Sequence, residues 1–195
     1  MSTKTKAAFI DRDGVINEER DYVHRIADFV LLPGVVQGLT LLRDAGYRLI
    51  VVTNQAGIAR GYYDQVEMDR LHNHLGEQLA KHGVALDAIY FCPHHPQGSI
   101  EALAIECDCR KPKPGMLLQA AKDLDLDLAA SVLIGDKLSD VQAGKCAGLG
   151  CTVIVESGHY VELVARREAD VVAADLLAAP HVLKSKVSYR TLLHK

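Results

Sequence analysis

Apolar residues along this chain fall into short unbroken runs, separated by stretches whose apolar positions recur at helical spacing. Ala7–Ile10, Arg48–Val52, Ala88–Phe91, Val132–Ile134 and Cys151–Val155 are runs of strand length. Runs without alternation suit strands buried on both faces, as in a parallel sheet. Between them, Val35, Leu39 and Leu42 follow helical spacing, and Ala45-Gly46 ends that helix. Asp64-Gln65-Val66-Glu67 reads as a capping box. The helix it opens carries Met68, Leu71, Leu75 and Leu79 on one stripe. Further helices are expected near Gly115–Leu124 and Asp140–Ala147, and the tail from Asp170 is expected to add a strand and a final helix. This alternation predicts an α/β fold, a parallel sheet with helices on its faces.

One stretch fits neither period. Cys92–Cys109 contains Pro93, Pro96 and Gly98, and a loop that long is uncommon in a compact domain unless something organises it. Composition narrows the rest. At 195 residues, 49% hydrophobic and 24% charged, the chain is expected to form a single globular domain over residues 1–195. A net charge of −3 removes the case for a nucleic-acid footprint. No stretch resembles a signal peptide, and no apolar run reaches the roughly 18 residues that span a bilayer, so no membrane partner is expected. With the cytoplasm as the default compartment, the five cysteines are expected to stay reduced, and a cluster of them suggests metal before disulfide. A monomer is the default expectation.

The candidate chemistry lies in four segments. Phe9-Ile10-Asp11-Arg12-Asp13-Gly14 is an apolar strand ending in two aspartates, and side chains at i and i+2 of an extended chain point the same way. Two such carboxylates can hold a hard cation, or divide the work of nucleophile and acid/base. Alone, the string reads equally well as a solvated turn. Ile50-Val51-Val52-Thr53-Asn54-Gln55 is a second strand, ending in a hydroxyl and two amides. Cys109-Arg110-Lys111-Pro112 places two cations before a proline, and Leu133-Ile134-Gly135-Asp136-Lys137-Leu138-Ser139-Asp140 delivers acids at a third strand's end. Acid pair, hydroxyl, lysine and strand-terminal G-D-x-x-x-D, in that order from Ala7 to Ala147, resemble the haloacid-dehalogenase (HAD) phosphatases. Neither a G-x-G-x-x-G fingerprint nor a Walker-type P-loop is present.

The resemblance implies a HAD-like core, a Rossmann-like doubly wound parallel sheet. It implies that Asp11 attacks phosphorus and that Asp13 protonates the leaving oxygen, then takes a proton from the hydrolytic water. Mg²⁺ would be held by the Asp11 carboxylate, the Asp13 backbone carbonyl and Asp136, while Thr53 and Lys111 bind the remaining phosphoryl oxygens. Lys137 lies within sequence reach of the phosphate. Asp140 either supports the metal or caps the following helix.

Cys92-Pro93-His94 and Cys107-Asp108-Cys109 supply three thiolates and an imidazole in two tight pairs, with 12 residues between His94 and Cys107. Three Cys and one His make a closed tetrahedral site for structural Zn²⁺, here a zinc-bound loop at about 92–109. His94 is preferred to His95 because it pairs with Cys92 in the family's pattern. Such a clamp would make Arg110 and Lys111 project into the site. Cys146 and Cys151 read as small core residues.

This loop narrows the resemblance to the branch holding heptose-bisphosphate phosphatases and the phosphatase half of histidinol-phosphate enzymes. The strings Tyr22-Val23-His24 and Thr53 to Gly61 are similar to the former, which implies a small sugar bisphosphate as the partner. Only 39 residues separate Asp13 from Thr53, too few for a large cap domain, so Glu18–His24 and the zinc loop must shape the pocket. By resemblance, Glu19, Arg20, Asp21, Tyr22, Thr53, Asn54, Gln55 and Ala56 line the sugar site. Glu19 and Arg20 read equally well as solvated loop charges. The Arg110 guanidinium suits the phosphate at the substrate's far end, since it can bind phosphate bidentately. Val15 stands where many family members carry Thr.

Overall fold

The computed structural model describes residues 4–158 and 160–185. Its sheet has six parallel strands: β1 (Ala7–Ile10), β2 (Arg48–Asn54), β3 (Ala88–Cys92), β4 (Val132–Gly135), β5 (Cys151–Val155) and β6 (Val171–Ala173). Their spatial order is β3-β2-β1-β4-β5-β6. The chain therefore steps outward one way from β1 and the other way from β4, which makes the seam between them a topological switch point. Ile10 pairs with Val51 on one side and Ile134 on the other.

Helices cover both faces because β1 alternates its small and large apolar side chains between two cores. Ala8 and Ile10 pack in a cluster with Val35, Leu39 and Leu42 of α1 (Val35–Asp44) and with Met68, Leu71, Leu75 and Leu79 of α3 (Gln65–Ala80). Ala7 and Phe9 face the other way, onto Met116, Leu117 and Ala120 of α4 (Gly115–Asp123) and Ala143 of α5 (Leu138–Cys146). The α3 stripe is fully buried, as its spacing predicts. Its capping box is formed: the Glu67 amide donates to Asp64 Oδ1 at 2.8 Å, and the Asp64 amide donates to Glu67 Oε2 at 3.0 Å.

Several boundaries differ from the sequence reading, each for a local reason. β2 runs on through Thr53 and Asn54, which pair with Phe91 and Cys92. α5 starts at Leu138 rather than Asp140, because Asp140 Oδ2 reaches back to accept from the Lys137 amide at 3.0 Å. Two helices have no apolar period long enough to predict them: the single turn α2 (Ala56–Ala59) and α6 (Leu163–Glu168). The expected strand and helix in the tail are β6 and helical residues 179–185; whatever follows lies outside the described residues. Between Asp13 and the start of β2 at Arg48 the chain forms loops, a short 3-10 turn at Ile26–Asp28 and α1, so no cap domain stands over the sheet. Cys151 is a core residue, but Cys146 is exposed at the end of α5, contrary to the expectation that it is buried. No helix among the described residues is long and apolar enough to cross a membrane.

The capping box gives a stability test away from any site chemistry. Asp64→Ala should cost about 1 kcal/mol, lowering Tm by roughly 2–4 °C in a thermal melt followed by circular dichroism.

Candidate active site

A cavity of about 520 Å³ opens at the carboxyl ends of the central strands. Asp11 and Asp13 reach it from the turn after β1, Thr53 to Ala56 from the end of β2, and Lys137 and Asp140 from the segment after β4. Arg110 and Lys111 enter from the loop that follows β3, and Glu19, Asp21 and Tyr22 from the loop before α1.

Like charges crowd its floor. Asp11, Asp136 and Asp140 are all buried, and each offers a carboxylate oxygen within 4.8 Å of the others. Burial pushes Asp11 up to about 6 and Asp136 to about 8, and the neighbouring carboxylates add to both shifts. Lys111 opposes the shift at Asp11. Its Nζ lies 2.9 Å from Asp11 Oδ1 and 2.6 Å from Asp140 Oδ1, and donates to the Val52 carbonyl at 2.8 Å. Burial disfavours the Lys111 charge, yet the two aspartates hold its pKa above the ordinary lysine value. Asn54 fixes the backbone beneath it, accepting from the Lys111 amide and donating to its carbonyl, both at 3.0 Å. The turn after β1 presses close to this floor: Gly14 has φ +84°, and a Cβ there would come within 2.1 Å of Asp136 Oδ2. Three buried carboxylates offering only oxygen ligands suit a hard divalent cation. Asp140 thus caps α5 with one oxygen and pairs with Lys111 through the other.

Asp13 is handled differently. The strand ends at Ile10, so Asp11 and Asp13 do not share the extended backbone that the i, i+2 rule assumes; both line the cavity, but from a turn. Arg12, fully buried, donates through Nη2 to both Asp13 oxygens at 2.9 Å. Asn17 Nδ2 and Gln55 Nε2 donate to the same carboxylate at 3.0 and 2.9 Å. Burial would raise the Asp13 pKa, but the Arg12 charge and these hydrogen bonds hold it below the usual carboxylate range. Gln55 also donates to Thr53 Oγ1 at 2.9 Å, and Tyr63 Oη donates to Gln55 Oε1 at 2.7 Å, so one amide orients both an acid and a hydroxyl. The remaining Arg12 donors meet the Val23 carbonyl, Met68 Sδ and His72 Nε2. Burial and the Arg12 charge keep His72 neutral, with a pKa of about 3, so that its ring nitrogen can accept. Arg12 went unnoticed in the sequence; a cation between two acids at the end of a buried strand was the available signal.

On the outer walls, Lys137 Nζ pairs with Glu19 Oε2 at 3.0 Å. Asp21 and Tyr22 both adopt left-handed backbone, with φ of 49° and 60°. That conformation is costly for a tyrosine, and it is held by His24 Nδ1 donating to the Tyr22 carbonyl at 2.8 Å and by edge contact between the Tyr22 and Tyr62 rings. Arg20 does not line the cavity; it turns to Glu18 on the exposed surface, 2.5 Å away. Arg60 and His95, which sequence reasoning left out, do line it, beside Arg110. Burial and the positive charges of Arg110 and Arg60 hold the His95 imidazole below its ordinary pKa.

Behind Arg110, Cys92, His94, Cys107 and Cys109 converge, their donor atoms within 4.8 Å of one another. Cys109 Sγ lies 3.1 Å from Cys92 Sγ, 3.2 Å from Cys107 Sγ and 3.3 Å from His94 Nδ1. Three thiols and an imidazole around one point are a donor set suited to zinc. The aperiodic stretch 92–109 is therefore drawn in by its two ends.

A doubly wound parallel sheet with buried aspartates and a lysine at its switch point defines a HAD-type phosphatase, a phosphoric monoester hydrolase. A family model described as HAD-hydrolase-like matches residues 108–179. D-glycero-beta-D-manno-heptose-1,7-bisphosphate 7-phosphatase of Photorhabdus laumondii is 44% identical over 94% of this chain and 98% of its own length. The Escherichia coli K12 enzyme of the same name is 44% identical over 95% of this chain and 97% of its own. The crystal structure of D,D-heptose 1,7-bisphosphate phosphatase from B. bronchiseptica, complexed with magnesium and phosphate, superposes with a TM-score of 0.80 at 34% identity, covering 93% of this chain and 99% of that one. The chain belongs to the heptose-bisphosphate phosphatase family of the HAD superfamily.

Proposed function

We propose that this chain removes the C7 phosphate of D-glycero-D-manno-heptose 1,7-bisphosphate, as the β anomer on which its curated relatives act, on the route to nucleotide-activated heptose for surface glycans. The observation that carries the reading is the buried Asp11, Asp136, Asp140 and Lys111 cluster opening into a cavity with a cationic outer wall. A substrate with phosphate at both ends matches that polarity.

Asp11 is the nucleophile. Its carboxylate oxygen bonds to phosphorus as the phosphorus–oxygen bond to C7 breaks, leaving an aspartyl-phosphate. Asp13 gives its proton to the departing sugar oxygen, then as carboxylate takes one from the water that releases phosphate. Arg12, Asn17 and Gln55 favour the ionised form needed in the second step, and an arriving phosphoryl dianion raises the proton affinity needed in the first. Thr53 and Lys111 hold phosphoryl oxygens. Asp11, Asp136 and the Asp13 backbone carbonyl would hold Mg²⁺, which when bound neutralises charge on the phosphoryl group. Arg110 takes the C1 phosphate, and Glu19, Asp21, Tyr22, Asn54, Gln55, Ala56 and Lys137 bound the sugar. Zinc on Cys92, His94, Cys107 and Cys109 is structural: four protein ligands leave no open position. The zinc loop and the phosphatase core form one domain, active as a monomer in the cytoplasm.

Phosphate release tests the reading. Heptose 1,7-bisphosphate should be turned over far more efficiently than histidinol phosphate; the reverse order would reject it. Asp11→Asn should abolish turnover while leaving the circular dichroism spectrum unchanged, and substantial residual activity would remove Asp11 from its role. EDTA should stop turnover and added Mg²⁺ restore it, while about one equivalent of zinc per chain survives in elemental analysis until thiol modification. Freshly purified protein without zinc would end the zinc assignment. Arg110→Ala should lower kcat/KM for the bisphosphate by about 2–4 kcal/mol relative to p-nitrophenyl phosphate, whereas Lys111→Ala should damage both substrates.

A further inference from the structure

Arg60 is half-buried at the C-terminal end of α2 and lines the cavity, yet its side chain makes no hydrogen bond or ion pair among the described residues. Its Nε is buried without a partner. A guanidinium carries five donors, and leaving a buried one unmet is costly, so such a group is usually satisfied by something that binds. Arg110, its neighbour on this wall, also has no carboxylate partner; its Nη1 reaches only the His94 carbonyl, at 3.3 Å. The protein thus holds two guanidinium groups at one cavity wall without neutralising either.

Their proximity is built in by the backbone. The Ala59 amide donates to the Pro93 carbonyl at 3.2 Å, and the Ala59 carbonyl accepts from the Ser99 and Ile100 amides at 2.8 and 2.9 Å. These bonds stitch the end of α2 to the Cys/His loop on both sides of His95. Gly98 allows the approach, because a Cβ there would stand 2.8 Å from the Ala59 carbonyl. Arg60 is therefore tied to the same loop that carries Arg110. The cation Lys137 is already paired with Glu19 and sits in the field of Asp136 and Asp11, so the cations without a carboxylate partner among the described residues are Arg60 and Arg110.

We propose that Arg60 is a specificity-determining residue, which with Arg110 forms a two-guanidinium subsite for the non-reacting phosphate of the sugar bisphosphate. The inference rests on the bisphosphate reading given above. Two forked guanidiniums can surround a phosphate group with parallel charge-assisted hydrogen bonds, which one alone cannot do. The same pair would reject substrates with an uncharged far end, since both cations would then be desolvated without an anion.

The test compares heptose 1,7-bisphosphate with heptose 7-phosphate, which lacks only the distal group. The wild-type enzyme should prefer the bisphosphate in kcat/KM. Arg60→Ala should reduce that preference roughly 10- to 100-fold, the loss expected for one charged hydrogen-bonding partner, and Arg60→Lys should recover part of it. Thermal melts of both variants should match the wild type, because the Arg60 side chain makes no hydrogen bond or ion pair among the described residues. A preference retained in Arg60→Ala would overturn the assignment while leaving the substrate reading intact. Equal losses on both substrates would place Arg60 in the catalytic shell or the fold, and would also overturn it. A wild-type enzyme with no preference for the bisphosphate would remove the substrate reading and this subsite together.

Discussion

The site depends on keeping like charges together at the buried floor of a cavity, where little water screens them. Asp11, Asp136 and Asp140 share a few ångströms at the seam between β1 and β4. Two carboxylates 4 Å apart repel by ~4 kcal/mol at an effective dielectric near 20, a large share of any domain's net stability. Lys111 is the cation in direct contact with Asp11 and Asp140, and Lys137 adds its charge to the same side. Lys111 spans Asp11 and Asp140 and anchors its third proton on the Val52 carbonyl. Burial raises Asp11 and Asp136 well above ordinary carboxylate values, the neighbouring acids add to it, and Lys111 and Lys137 offset it only in part. The floor is thus built to accept a cation and then an anion, in that order of electrostatic need.

Everything around the floor positions Lys111 or keeps Asp13 apart from it. Lys111 arrives from a loop, and loops place side chains poorly unless they are tied. Here the ties are the Asn54 amide, which brackets its peptide, and the Cys92, His94, Cys107 and Cys109 cluster just upstream. Asp13 is separated by charge rather than distance. Arg12 spends its donors on that carboxylate and on Val23, Met68 and His72, deep in the interior, so the acid/base candidate and the nucleophile candidate face opposite cations. Two aspartates two residues apart are thereby pushed in opposite directions: Asp11 up and Asp13 down.

How much of this can be read from the chain depends on the range of the interaction. Strands β1 and β5 match the sequence reading residue for residue, because an uninterrupted apolar run in a doubly covered sheet leaves little ambiguity. The α3 capping box is equally local, and so are the four Cys and His positions with their short chelate arms. What the chain does not disclose is settled across the fold. Arg20 reads by family resemblance as a sugar-site residue and equally as a solvated loop charge, and its ion pair with Glu18 at the surface selects the second. Arg60 looks like the end of a motif string, yet backbone bonds from Ala59 to Pro93, Ser99 and Ile100 bring it to the cavity. Arg12 reads as a polar interruption between two acids, and only the packing of α3 shows that Met68 and His72 are its partners.

The cavity's two ends then explain how a small domain without a cap can distinguish one end of a substrate from the other. Near Asp11 the protein supplies crowded carboxylates and a lysine already shared between them. At the outer wall it supplies two guanidiniums with no carboxylate partner among the described residues. An anion entering alone meets repulsion at the floor and attraction at the wall, so on the bisphosphate reading proposed above the outer wall is the place for the phosphate that need not react. On that same reading the length of the sugar would carry the other phosphate toward Asp11, and binding energy gained at the remote group would be available to offset the cost of bringing charge to the floor. Orientation follows from the distribution of unpaired charge, and the loop tied by Cys92, His94, Cys107 and Cys109 sets it, because that loop carries Arg110 and adjoins Arg60.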